Sequence, residues 1–167
     1  MRIAIAGAHW VWKTTILKNL DMCDKITETA RTVIKEMWRP SDLDVSSREK
    51  FQQKVLFSQM EKEENENFVS DRSVIDILAY THWLTTYKST KKLVSQYLNV
   101  KPYDYVFYVP IEFELVKDGV RHEWLQYQKQ VDELILNLLK EFNIDYIKLS
   151  WTIEERVKTL TSIIQDL

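Results

Sequence analysis

Gly7, Lys13 and Thr14 are spaced as in a loop that wraps phosphate, within Gly7-Ala8-His9-Trp10-Val11-Trp12-Lys13-Thr14-Thr15. Such a loop reads Gly, four free positions, Gly, Lys, then Ser or Thr. Its backbone N–H groups and the N-terminus of the following helix cradle phosphate oxygens. Lys13 would reach the β- and γ-phosphates of ATP, and the Thr14 hydroxyl would hold Mg²⁺. The plainer alternative makes Gly7 a strand end and Lys13 a solvated lysine at a helix start. The order of strand, loop and helix speaks against it, because the apolar run Arg2-Ile3-Ala4-Ile5-Ala6 precedes the loop and a helical pattern follows. Trp12 departs from the pattern: it stands where glycine normally permits a tight turn and close approach of backbone to phosphate. Trp10 also fills a place better suited to a small residue.

Other groups of chemical interest lie after further apolar runs. Asp71-Arg72-Ser73 follows Phe68-Val69-Ser70 directly. Asp71 would ligate Mg²⁺ through a water or contact the nucleophile, and Arg72 would bind phosphate bidentately. Asp71 or Ser73 can equally start the next helix as an N-cap. Glu28, with Arg31 one turn later, either takes a proton from an acceptor hydroxyl or forms an ordinary helix-surface pair. Asp118-Gly119-Val120-Arg121 sits in a lid-like segment at about 111–125. Arg121 would swing over a transferring phosphoryl group, or the segment is simply a turn before a helix. Arg156 either stacks near adenine or pairs with Glu154 or Glu155. The acidic run Glu61 to Glu66 reads as a solvated helix end, and Tyr80 and Trp83 as core packing. His9, His82 and His122 are scattered and read as local polar contacts.

These residues need a scaffold, and the chain alternates apolar runs with helical patterns. Strands are expected at Arg2–Ala6, Lys25–Glu28, Phe68–Asp71, Tyr105–Val109 and Asp145–Leu149. Helices are expected at Thr14–Leu20, Thr29–Met37, a long stretch carrying Phe51, Val55, Phe57 and Met60, Val74–Tyr87, Thr90–Leu98, Glu123–Phe142 and Ile153–Leu167. Val131, Leu134, Ile135, Leu138 and Leu139 make a one-sided apolar stripe. Five strands with helical crossovers give a three-layer α/β domain, whose ligands bind beyond the C-terminal strand edges.

The 167 residues fit one domain, 1–167, able to bury a core. A net charge of −2 gives no strong pull toward nucleic acid or anionic membrane. Cys23 is the only cysteine, which excludes an internal disulfide framework. No secretory signal or bilayer-length apolar run is evident, so a cytoplasmic protein is expected, its oligomeric state open; the phosphate loop, not this absence, points to a small-molecule substrate.

The chain resembles the P-loop kinases, and more narrowly the small AAA-type domains similar to the NadR-like ribosylnicotinamide kinases and the thymidylate and deoxynucleoside kinases. The resemblance rests on residues 7–15, on Thr27-Glu28-Thr29-Ala30-Arg31, on Ser70-Asp71-Arg72-Ser73 through Tyr80, and on Asp118 to Arg121. It implies a five-stranded parallel sheet of order 2-3-1-4-5, Mg-ATP as donor, and a nucleoside or nucleoside monophosphate as acceptor. By this kinship Glu28 maps to an acidic acceptor-site residue and Arg121 to the lid. A binding or regulatory module that retains the fold, or a simple ATPase, are the alternative functions.

Members of that family carry glycine at the positions of Trp10 and Trp12, and glycine would be unsurprising at Trp38 and Trp151. The chain holds two glycines against six tryptophans, where average usage predicts roughly a dozen glycines. Some bacterial lineages and their phages read UGA as glycine, and reading it as tryptophan would produce both oddities together. Loss of nucleotide binding is the competing explanation.

Overall fold

The computed structural model describes residues 1–20, 24–36, 44–112 and 122–165. Strands β1 (Arg2–Ala6), β2 (Asp24–Ile26), β3 (Phe68–Asp71), β4 (Tyr105–Tyr108) and β5 (Ile147–Lys148) form one sheet. All neighbours are parallel, in the order β2-β3-β1-β4-β5. The helices are α1 (Lys13–Lys18), α2 (Thr29–Glu36), α3 (Val45–Lys62), α4 (Val74–Tyr80), α5 (Tyr87–Val100), α6 (His122–Glu141) and α7 (Ile153–Gln165).

Alternation along the strands explains the layers. Successive side chains of a strand point to opposite faces, and a central parallel strand must be apolar on both. Ile3 and Ile5 of β1 join Val69 and Phe107 on one face, covered by Ile16 and Leu17 of α1 and Leu160 and Ile164 of α7. Ala6 and Val106 face the other way, toward Phe51 and Val55 of α3, Ile75 and Leu78 of α4, Val94 of α5, and Val131 and Ile135 of α6. Each fully buried Leu or Ile contributes about 1.5–3 kcal/mol. Two such cores, one on each face, define a three-layer α/β/α fold, as the alternating pattern predicts.

Local signals set most element boundaries. Asp44 caps α3 by accepting from Ser47 N, and Ser73 caps α4 in a reciprocal box with Asp76. The helix expected over Val74–Tyr87 is shorter: α4 ends at Tyr80 and tight turns carry the chain to Tyr87. There the Thr81 hydroxyl and amide both return to Leu78 O, which closes the helix. β2 begins at Asp24 and ends at Ile26, so Glu28 lies just past its C-terminal end. β5 has two residues rather than five.

Within the acidic run, Glu61, Glu64 and Glu66 are exposed as expected, and Glu63 is the correction. Glu63 is fully buried, accepting from Gln59 Nε2 at 2.7 Å and from the Tyr97 and Tyr103 hydroxyls at 2.9 Å, with Arg2 Nη2 at 3.6 Å. Burial pushes its carboxyl above the usual range against the pull of these partners. No helix among the described residues is long and apolar enough to cross a membrane. Asp118 to Arg121, the core of the expected lid, lie outside the described residues, as do Trp38 and Cys23.

Candidate nucleotide site

The chemistry-bearing residues gather where β2, β3, β1 and β4 end. The chain leaves β1 at Gly7, which has φ 145°. A Cβ there would lie 2.5 Å from the Val109 carbonyl oxygen, so only glycine passes this point. Gly7 N donates to Asp76 Oδ1 at 2.8 Å and His9 N to the Tyr80 hydroxyl at 3.1 Å, which ties the loop to α4. Gln128 Nε2 of α6 donates to His9 O. Arg156 Nη1 of α7 reaches Val11 O at 3.4 Å. Ala8 and Val11 are buried, anchoring the loop in the two cores. The loop is thus held from both faces of the sheet.

Lys13 opens α1 and is buried, its ammonium donating to the Gly7 and Ala8 carbonyls. Burial, reinforced by the nearby Arg72 cation, brings its pKa down to about 8. The same two causes, with Lys13, lower His9 to about 4, so its imidazole is neutral at ordinary pH. Thr14 donates its hydroxyl to Asp71 Oδ2, joining the start of α1 to the end of β3, while Thr15 lies in the same first turn. Burial raises the Asp71 carboxyl above its usual range.

Arg72 is the strained residue of the group, with φ 103°. Its amide donates to Ile5 O at 3.1 Å, and its carbonyl accepts from Ser70 Oγ and, at 3.4 Å, from Gln59 Nε2. Its guanidinium runs over the Tyr80 ring and donates to Glu28 Oε1 through Nε at 3.0 Å and Nη2 at 2.8 Å. Nη1 is buried with no protein partner. Glu28 also accepts from Arg31, so the surface pair weighed from the sequence exists beside the pairing with Arg72.

The structure therefore brings Gly7 through Thr15, Glu28, Asp71 and Arg72 to one edge. Asp71 does not cap α4; Ser73 does. Arg156 pairs with neither Glu154 nor Glu155: it is buried and salt-bridged to Glu112 at 2.6 Å. Trp83 is half exposed rather than a core residue, its ring 5.2 Å from that of Tyr127. The sequence reading missed Asp76, Gln128 and Gln59 as supports of the loop and of Arg72. Ser73-x-x-Asp76 has the spacing of a capping box and could have flagged Asp76; the glutamines give no local signal.

Trp10 and Trp12 have φ 62° and 71°, and their indoles are half exposed. They line a small cleft with Pro110, Ile111, Glu112, Gln128 and Arg156, beside the loop.

A parallel sheet of this order with a lysine-bearing loop after β1 defines a P-loop kinase-like fold. The chain belongs to the AAA domain family whose model matches residues 2–156. Among solved structures it is similar to the NadR protein in complex with NR, at TM-score 0.76 and 14% identity over 98% of this chain and 50% of that one. It thus spans about half the length of that NadR chain. It is also similar to deoxyadenosine kinase from M. mycoides with products dcmp and dcdp bound, at TM-score 0.69 and 16% identity over 99% of each chain. A third likeness is the YorR protein from Bacillus subtilis in complex with phosphorylated GDP, at TM-score 0.59 and 15% identity over 98% and 95%. No curated protein sequence matches the chain.

Proposed function

We propose that the protein is an ATP-dependent phosphotransferase acting on a nucleoside or nucleoside monophosphate. One observation carries this reading: the Thr14–Asp71 hydrogen bond sets the end of the lysine loop against Asp71-Arg72 and Glu28. Donor and acceptor groups would then share one strand edge, the place where ligands of such sheets bind. NadR with NR and the deoxyadenosine kinase product complex, as fold neighbours, support the same reading of the acceptor class.

In this reading the loop amides and Lys13 hold the triphosphate. The ammonium would exchange the Gly7 and Ala8 carbonyls for phosphate oxygens. Thr14 and Asp71 are hard oxygen donors of the kind Mg²⁺ takes, with few protein ligands besides phosphate. The cation would neutralise charge on the β- and γ-phosphates. Arg72, with its unpartnered Nη1, is available to a phosphoryl oxygen while Glu28 fixes the rest of its fork. Glu28 would accept the acceptor hydroxyl's hydrogen bond and orient its oxygen for attack. Arg121 would supply a further cation from the lid. Such catalysis is positioning and electrostatics, so a misplacement of about 1 Å costs on the order of a hundredfold.

The test is a transfer assay with labelled ATP across nucleosides, nucleoside monophosphates and nicotinamide riboside, run on the written sequence and on Trp10→Gly/Trp12→Gly. Label on one acceptor class is the expected result. Nucleotide binding without transfer to any acceptor would favour a binding module, and phosphate release without an acceptor a simple ATPase.

A further inference from the structure

Among the described residues, five that are not glycine have positive φ: Trp10, Trp12, Arg72, Asn143 and Trp151. Left-handed backbone presses Cβ toward the following carbonyl, and only glycine, with Asn and Asp after it, visits it readily. Asn143 has an ordinary reason to be there, since it follows α6 as a left-handed helix end. Arg72 is held at its amide, carbonyl and guanidinium as described above. The bonds at Trp12 and Trp151 belong to the backbone and glycine would keep them: Ile16 N donates to Trp12 O at 3.0 Å and Trp151 N to Glu112 Oε2 at 2.8 Å, while the Trp10 ring lies edge-on to that of His9 at 4.6 Å. Trp12 begins α1 at φ 71° with no side-chain cap bond, and Trp151, at φ 76°, turns the chain from β5 into α7.

An indole can offset such strain by burying its large ring. These residues are 53%, 50% and 74% exposed at 10, 12 and 151. The backbone at each place is one that glycine adopts freely, in a chain that contains only two glycines. We infer that positions 10, 12 and 151 are glycine in the protein as its host makes it. The loop then has the full phosphate-binding pattern, and no Cβ stands between its amides at 10 and 12 and a phosphate. The turn after β5, remote in sequence from the loop, obeys the same rule for the same reason. Nothing in this depends on which reaction the site performs.

Tryptic mass spectrometry of the protein from its own host reads the point in the peptides 3–13 and 149–156. The expected result is the mass of glycine at all three positions; the mass of tryptophan at any of them overturns the inference. A second measurement needs no host. Trp10→Gly/Trp12→Gly/Trp151→Gly should shift the folding equilibrium toward the native state by up to roughly 10-fold per position, the left-handed strain relieved less the entropy that glycine returns to the unfolded chain. A triple variant no more stable than the written sequence in denaturant overturns it as well. Both readouts are separate from phosphate transfer, so an inactive but stabilised variant would count against the kinase reading alone.

Discussion

Arg72 and Glu28 meet at 2.8 Å across the ends of β3 and β2, with side chains only 11% and 13% exposed. The pairing fixes a guanidinium on a strained backbone beside the lysine loop. Burial works against the charge on Glu28, yet Arg72 and Arg31 together hold its carboxyl below the usual range. A carboxylate kept that acidic is a weak proton acceptor and a good hydrogen-bond acceptor. Its work is therefore orientation, of Arg72 on one side and of a hydroxyl on the other.

Glu28→Gln keeps the shape and removes the charge. Transfer should fall on the order of a hundredfold, the cost of a reacting group misplaced by about 1 Å, with little change in ATP affinity. Glu28 is held below the usual carboxylate range and stays ionised across pH 5.5 to 8, so a solvent isotope effect rather than a pH profile separates orientation from proton abstraction. Equal transfer rates in H2O and D2O support orientation, whereas a slowing in D2O that disappears in Glu28→Gln would contradict it.

Lys13 gives the site a pH signature. Its pKa is about 8 when folded, against an ordinary 10.5, because burial and Arg72 disfavour the ammonium. Below pH 8 both states carry the proton and the cost of burying the charge is fully present. Between about pH 8 and 10.5 the unfolded chain binds more protons, so stability rises with pH. The full change is on the order of 3 kcal/mol. The unfolding midpoint of the unliganded protein should climb from pH 7.5 to 10 relative to Lys13→Met. Triphosphate needs the charged form, so ATP affinity should decline as pH rises through 8, with proton uptake in calorimetry. A flat difference between the two proteins would sink this account.

The fold was legible because its signals are local and redundant. Ile3 and Ile5 lie among buried neighbours, and 131–139 repeat at helical spacing, so type and order of elements follow from the chain. The loop was legible because Gly7, Lys13 and Thr14 have fixed spacing, and Asp71-Arg72 because it ends a strand. What the sequence could not reveal depends on packing between distant segments. Gln59 caps the Arg72 carbonyl, Gln128 the His9 carbonyl, and Arg156 finds Glu112 across 44 residues, none with a local signature. Glu63 looked solvated because its neighbours are, and the approach of Gln59, Arg2, Tyr97 and Tyr103 makes its burial tolerable.

Gly7→Ala should be the most damaging small substitution in the loop. The new methyl would meet the Val109 carbonyl oxygen at 2.5 Å in a backbone conformation that L-residues rarely adopt. Strain of that kind alone costs about 1–3 kcal/mol, and the contact is with backbone that cannot rotate away. Chemical denaturation should show a loss of about 3 kcal/mol or more, accompanied by loss of ATP binding. A variant as stable as the parent would mean the loop takes another path.

Asp76 is fully buried and serves two structures at once. Oδ1 accepts from Gly7 N and Oδ2 from Ser73 N, both at 2.8 Å, so one carboxylate ties the phosphate loop to the cap of α4. Ser73→Ala removes the cap's hydroxyl and should cost about 1 kcal/mol without touching the loop. Asp76→Ala removes the cap's partner and also strands the buried Gly7 amide, each unpaired group costing about 1–3 kcal/mol. Its stability loss should therefore exceed that of Ser73→Ala by at least about 1 kcal/mol. ATP affinity should fall in Asp76→Ala alone, because only there does the loop lose its Gly7 tie to α4 and depend on the His9–Tyr80 bond. Matching losses of stability and affinity in the two variants would show that the Gly7–Asp76 bond does not hold the loop.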